Sequence, residues 1–302
     1  MTKEDSTEKK AYYVDEHRNV LEGDEAIQKI QERQNSTQVT DEGVLKVDRE
    51  RWEEAQRYER RTWMDGQASL SDRNEDHREK FANYALIRGR HFDRAIELGC
   101  GPFTNLRFIL EESQIDQVDL LDPLMDDYEN HQYCRYRGGK LGGVLNTSMI
   151  PFSFKGGFKH PIRFLRHKLN EWRIGGVFGK KVNLHPCGIE DYEGVEQFDL
   201  VVIINVIEHC RDIDLIFQTI DRILKPGGTF VYSDKIYHAS EEAELSRIQF
   251  DAGHPIRVDH SVIKKFLDEK FDSQFYSVIS SVYQFKNHRR ERKYDYFIGT
   301  KK

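Results

Sequence analysis

The sequence predicts an α/β protein built on a doubly wound, mostly parallel sheet with an antiparallel last strand, preceded by an N-terminal helical extension. Three observations lead there. The stretch AIELGCGPF, Ala95 to Phe103, runs from an apolar strand into Gly99-Cys100-Gly101 and then into the amphipathic segment NLRFILEES. That order opens a nucleotide-sized crevice at the carboxyl ends of the strands. Further apolar runs at 117–121, 182–186, 198–206 and 228–234 continue a series of five parallel strands. Finally, FYSVISSVYQF and YDYFIGTK flank the basic turn KNHRRERK as a hairpin, an ending that a dinucleotide-binding sheet of six parallel strands would not have.

In chain order, residues 1–45 are dominated by Lys, Glu, Asp, Gln and Thr, and are expected to be disordered or loosely helical in isolation. Residues 46–75 form a helical extension. In VDRERWEEAQRYERRTWM, Trp52, Ala55, Tyr58 and Trp63 recur at helical spacing, the pattern of a docking face or of a lid. The main domain is expected over 76–302. HREKFANYALIRG reads as a helix leading into the first strand, 93–98. DIDLIFQTIDRIL places Ile213, Ile216, Ile220 and Ile223 on one helical face, and SVIKKFLDEKF (261–271) is the last helix.

The glycine turn decides between ligands by its spacing. A G-x-G-x-x-G fingerprint needs glycine at 104, where this chain has Thr104, and the phosphate loop G-x-x-x-x-G-K-[ST] is absent. About twenty residues on, VDLLDPL ends a second apolar run at Asp122, where an acid can hold both ribose hydroxyls. Ribose without phosphate points to S-adenosylmethionine. On Glu97-x-Gly99-x-Gly101 and Asp122 the sequence resembles the class I S-adenosylmethionine-dependent methyltransferases, a fold of seven strands with the last one antiparallel. The resemblance covers about 76–302. It implies that Glu97, Gly99, Cys100 and Gly101 line the methionine end of the cofactor, Asp122 and Pro123 the ribose, and Leu124 the adenine. It also implies Gly188 and Ile189 at the adenine edge, with Asn205 and Val206 closing the site after strand four.

Strand four ends in INVIEHC. The (N/D)-P-P-(Y/F) of enzymes that methylate exocyclic amines of nucleobases or glutamine is absent. The Glu208-His209 pair resembles instead the V-x-E-H motif of quinone-type and small-RNA 2′-hydroxyl methyltransferases. Metal-using members of that group add an acid three residues earlier and a later His. Here Asn205 replaces the acid and His254 follows in GHPIRVDH. A neutral amide is a weaker ligand for a hard cation, so the site either works without metal or holds a divalent ion on Glu208, His209 and His254. Without metal, His209 and His254 are the candidate general bases, with Asp234 and His260, after strand five, next.

The segment 128–181 is an insertion between strands two and three. From Cys134 to Lys181 it carries eleven bases and one acid, and PIRFLRHKLNEW within it reads as a helix. In a chain of net charge −6, this is an electropositive wall for an anionic small molecule, glycan, RNA or lipid headgroup. The first reading is an O-methyltransferase for a polar, anionic small molecule or a sugar hydroxyl of a glycan, with a second, broader resemblance to methyltransferases of polysaccharide pathways. An RNA 2′-O-methyltransferase and a non-catalytic cofactor-binding partner subunit are the alternatives. Four scattered cysteines without C-x-x-C indicate neither a zinc site nor a disulfide framework. MTKEDSTEKK lacks the apolar run of a signal peptide, and no run reaches the roughly 18 apolar residues of a membrane span. The expectation is a cytoplasmic protein.

Overall fold

Residues 11–34 do not form the loose extension that their composition suggests. In the computed structural model, which describes residues 11–34, 39–65, 72–131, 134–141, 180–241, 249–285 and 288–302, they make strands β1 (Tyr12–Val14) and β2 (Val20–Glu22) and helix α1 (Asp24–Gln34). Ala11, Tyr13, Ala26 and Ile30 close a small core of their own against Phe250, and Tyr13 stacks on Phe250 at 4.6 Å. A three-residue strand is too short to show a period of two, and β1 pairs in parallel with Gln249–Asp251, far along the chain. Neither fact leaves a local trace. A second short strand, β3 (Gly43–Val44), pairs with Arg257–Val258, so the extension is woven into the main domain at two places.

Helix α2 (Arg49–Met64) starts on an Asp48 cap, whose carboxylate accepts from the Arg51 N–H at 2.8 Å. Helix α3 (Asn74–Lys80) is shorter than the expected helix through 89. Ala82, Asn83 and Tyr84 turn to positive φ, which folds both Phe81 and Tyr84 into the core, their rings 5.3 Å apart.

The central sheet then begins. Strands β4 (His91–Leu98), β5 (Gln114–Leu121), β6 (Val182–His185), β7 (Phe198–Ile204) and β8 (Leu224–Lys235) are parallel. Two small strands follow, β9 (Gln249–Asp251) and β10 (Arg257–Val258), and then the long hairpin of β11 (Phe271–Phe285) and β12 (His288–Lys301). The order across the sheet is β11-β12-β8-β7-β4-β5-β6, with β12 antiparallel to both neighbours. This is the class I methyltransferase arrangement. Hairpin pairing continues to Phe285 and His288, well into the stretch expected as a turn.

Alternate residues of the central strands serve two cores. Ile96, Leu98, Val201 and Ile203 face α6 (Ile213–Ile223) and α7 (His260–Lys270), whereas Ala95, Leu200 and Val202 face the side of α4 (Leu106–Glu112). Burial on both faces is why these strands read as continuous apolar runs instead of an alternation. Helix α5 (Met125–Asn130) follows β5. Of the basic insertion, only 128–131, 134–141 and 180–181 are described, and its expected helix over 161–172 lies outside the described residues.

Candidate active site

Strand β4 lies between β5 and β7. The chain winds outward through β5 and β6 and then crosses back to β7 on the other side of β4, so the winding reverses at the carboxyl end of β4. There the chain turns through Gly99 (φ 68°) and Gly101 (φ 53°). A Cβ on Gly99 would lie 2.4 Å from Val206 Cγ1, so glycine alone lets this turn touch the loop after β7; at Gly101 a Cβ would meet nothing within 4 Å. The Gly99 and Cys100 N–H groups donate to the Leu121 carbonyl at 2.7 and 3.1 Å, which pins the turn to β5.

Asp122 follows β5 and is 7% exposed. It accepts from the Gly101 N–H at 3.0 Å and the Leu124 N–H at 2.9 Å. Burial outweighs both bonds and pushes its pKa up to about 6. Glu97 is placed differently from the expectation. Its carboxylate, buried beneath the turn, accepts from the Thr104 hydroxyl, the Asn105 N–H at 2.8 Å and the Leu106 N–H at 3.2 Å. It caps α4 and holds the turn from below, and burial raises its pKa.

A cavity of about 500 Å³ opens above the turn. Every cofactor candidate except Glu97 lines it, and so do Glu208, His209 and His254. Asp234 and His260 do not. Asp234 is 3% exposed and accepts from the N–H groups of Val206 and Ile207 at 3.1 and 2.8 Å, so it holds the loop after β7 from behind. His260 is engaged by Asp295 at 3.0 Å, away from the cavity.

The three remaining candidates form one cluster. Glu208 is buried in the turn after β7. Its Oε1 accepts from the Lys235 ammonium and its Oε2 from the Tyr237 hydroxyl. His254 Nε2 lies 3.4 Å and His209 Nε2 3.7 Å from the same Oε1. Burial alone would raise the Glu208 pKa, but His254 and Lys235 outweigh it and hold it well below the usual carboxylate range. Burial likewise opposes protonation of His254; the Asp251 carboxylate, 2.7 Å from Nδ1, and Glu208 prevail and raise it to about 9. His209 sits 2.8 Å from the Gly253 carbonyl through Nδ1. That contact requires N–H at Nδ1, so the neutral ring presents Nε2 as the acceptor.

Other residues at this cavity are not among the candidate site residues, although Trp52 and Trp63 belong to the aromatic period read as a docking face or lid. Lys235 ends β8 directly after Asp234, so the end-of-strand argument that singled out Asp234 reaches it as well. From α2, Trp52, Gln56, Glu59 and Trp63 cover one wall; Gln56 Nε2 donates to the His209 carbonyl at 3.0 Å. Arg73 and Arg292 also line the cavity. Nothing in the local pattern around Arg73 distinguishes it from surface arginines.

Residues 55–275 match the model of a family described as a methyltransferase domain. The chain belongs to this family and is a class I S-adenosylmethionine-dependent methyltransferase. Among solved structures it is similar to the N-methyltransferase NodS from Bradyrhizobium japonicum WM9 in complex with S-adenosylhomocysteine, at 11% identity and a TM-score of 0.44, over 75% of this chain and 86% of that one. The YcgJ protein from Bacillus subtilis aligns at 12% identity and a TM-score of 0.47, over 76% and 98%. A third similar structure is the 1,6-didemethyltoxoflavin-N1-methyltransferase of Burkholderia thailandensis, at 12% identity and 0.37, over 76% and 84%. No curated protein matches the chain. Among the described residues no helix is long and apolar enough to cross a membrane.

Proposed function

We propose that the protein is an O-methyltransferase acting on a polar, anionic small molecule or glycan, with His209 as general base. The observation that carries this reading is the His209 ring, held through Nδ1 by the Gly253 carbonyl at 2.8 Å, at the same cavity as the glycine turn. His254, raised to about 9, stays protonated at neutral pH and so has no free nitrogen to take a proton.

The residues fit the cofactor. The open wall at Gly101 admits its methionine end, and Asn105 brings to the cavity a buried Oδ1 with no hydrogen-bond partner among the described residues, an acceptor suited to an ammonium group. Asp122 would hold the ribose, Leu124 and Ile189 the adenine, and α2 would be the lid. When bound, the cofactor would supply a sulfonium methyl group to the acceptor oxygen, the electrons of the S–C bond staying with sulfur. His209 Nε2 takes the proton that this oxygen loses. Arg73, which has no carboxylate partner among the described residues, supports an anionic acceptor.

Calorimetry with S-adenosylhomocysteine tests the cofactor reading: the wild type should bind, and Asp122→Ala should bind at least about tenfold more weakly. His209→Ala should retain that affinity while turnover on a panel of hydroxylated sugar acids and sugar phosphates falls by about 10²–10⁴. Full turnover in His209→Ala would exclude it as the base.

A further inference from the structure

Glu208, His209 and His254 present ligand atoms within 4.8 Å of one another, one carboxylate oxygen and two imidazole nitrogens. In donor type this is most of a divalent-metal site. Two features set it apart from one. Both oxygens of Glu208 are engaged, one by the Lys235 ammonium and the other by the Tyr237 hydroxyl. The position three residues before Glu208, from which an acid could complete the set, holds Asn205; its backbone is left-handed at φ 58° and its N–H donates to the Ser233 carbonyl at 2.7 Å. His254 Nδ1 is bound to Asp251 at 2.7 Å, an orientation a metal site would share, and its Nε2 faces the Glu208 oxygen that Lys235 also contacts.

We propose that the Lys235 ammonium stands where a divalent cation would sit among Glu208, His209 and His254, making this a built-in-cation site instead of a metal site. The geometry gives the ammonium a second task. Its side chain is only 11% exposed, yet it reaches the cavity wall from the end of β8. An ammonium has three N–H donors, and Glu208 takes one. A further donor is available to the acceptor oxygen as it gives up its proton to His209. A fixed cation steadies the oxygen's developing charge but cannot withdraw electrons as a Lewis acid does, so proton removal rests with the imidazole. The second task depends on the proposed O-methyl transfer; the exclusion of metal does not.

The test uses full-length, chelator-treated protein, with cobalt and manganese as probes and S-adenosylhomocysteine binding measured on the same samples. Wild type should bind neither metal stoichiometrically. Lys235→Met keeps the aliphatic stem and removes the charge. Combined with Asn205→Asp, it should bind one cobalt ion about tenfold or more tightly than wild type, with a visible d–d absorption, and lose it on His254→Ala. Stoichiometric cobalt in the wild type, lost on His209→Ala or His254→Ala, would overturn the proposal. So would a double variant that keeps its S-adenosylhomocysteine affinity and still takes up no cobalt. If the double variant does not fold, the wild-type titration and the single Lys235→Met variant decide by the same criterion. Failure of S-adenosylhomocysteine binding in the wild type would instead count against the cofactor site.

Discussion

At Asp234 the surroundings override the ordinary chemistry of a carboxylate. Burial and the nearby Glu208 charge raise its pKa from 3.8 to about 7, although three backbone N–H groups oppose the rise. Between those pH values the unfolded chain has released this proton and the folded protein retains it. Stability contributed by Asp234 is therefore complete below about pH 4 and lost as pH climbs through 7. Asp234→Asn should flatten that part of the stability curve by a few kcal/mol in denaturant titrations between pH 4 and 7. An unchanged slope would mean that Asp234 ionises normally. The same carboxylate that looked catalytic from its position after a strand thus acts on the loop that carries Glu208.

At the scale of elements, α2 connects the N-terminal segment to the 251–254 loop. Arg51, with a side chain 12% exposed, pairs with Glu54 and donates to the carbonyls of Ala252 at 2.7 Å and Asp251 at 3.3 Å. Those residues precede Gly253, whose carbonyl orients His209, and His254, which Asp251 holds. Arg51→Ala should cost about 1.5–3 kcal/mol of stability for the lost charge-assisted bonds. Turnover should fall because the 251–254 loop is released, while S-adenosylhomocysteine affinity stays within about twofold. Equal loss of both would place Arg51 in the general stability of the fold and not in the loop. The helical period of α2 was legible from Trp52, Ala55, Tyr58 and Trp63. Which loop it would brace was not, since Arg51 meets its partners 200 residues away.

Across the whole molecule, the N-terminal unit behaves as part of one fold. β1 pairs with β9, β3 with β10, and the Lys46 ammonium reaches Asp212 at 2.7 Å. Ile30 is 1% exposed in the small core between α1 and β1. Ile30→Ala should destabilise by about 2–5 kcal/mol and lower the single melting transition of the protein. A separate low-temperature transition, with the main one unmoved, would show that residues 11–34 melt independently.

What the sequence determined by itself is local or periodic. The glycine turn, its acid-ended strands, the five apolar runs, the final hairpin and the Glu208-His209 pair are each contained in a few consecutive residues. Their geometry follows from periods of two and 3.6 and from the freedom of Gly99 and Gly101. Tertiary structure decided which way side chains at the same kind of position face. Glu97 turns down to cap α4, Asp122 stays at the cavity, Asp234 turns behind the loop and Lys235 reaches forward. Each outcome is set by which backbone N–H groups or opposite charges a neighbouring element supplies. The meeting of His209 with His254, and of β1 with β9, joins residues far apart in the chain. Such contacts impose no spacing on the sequence, so only the folded chain displays them.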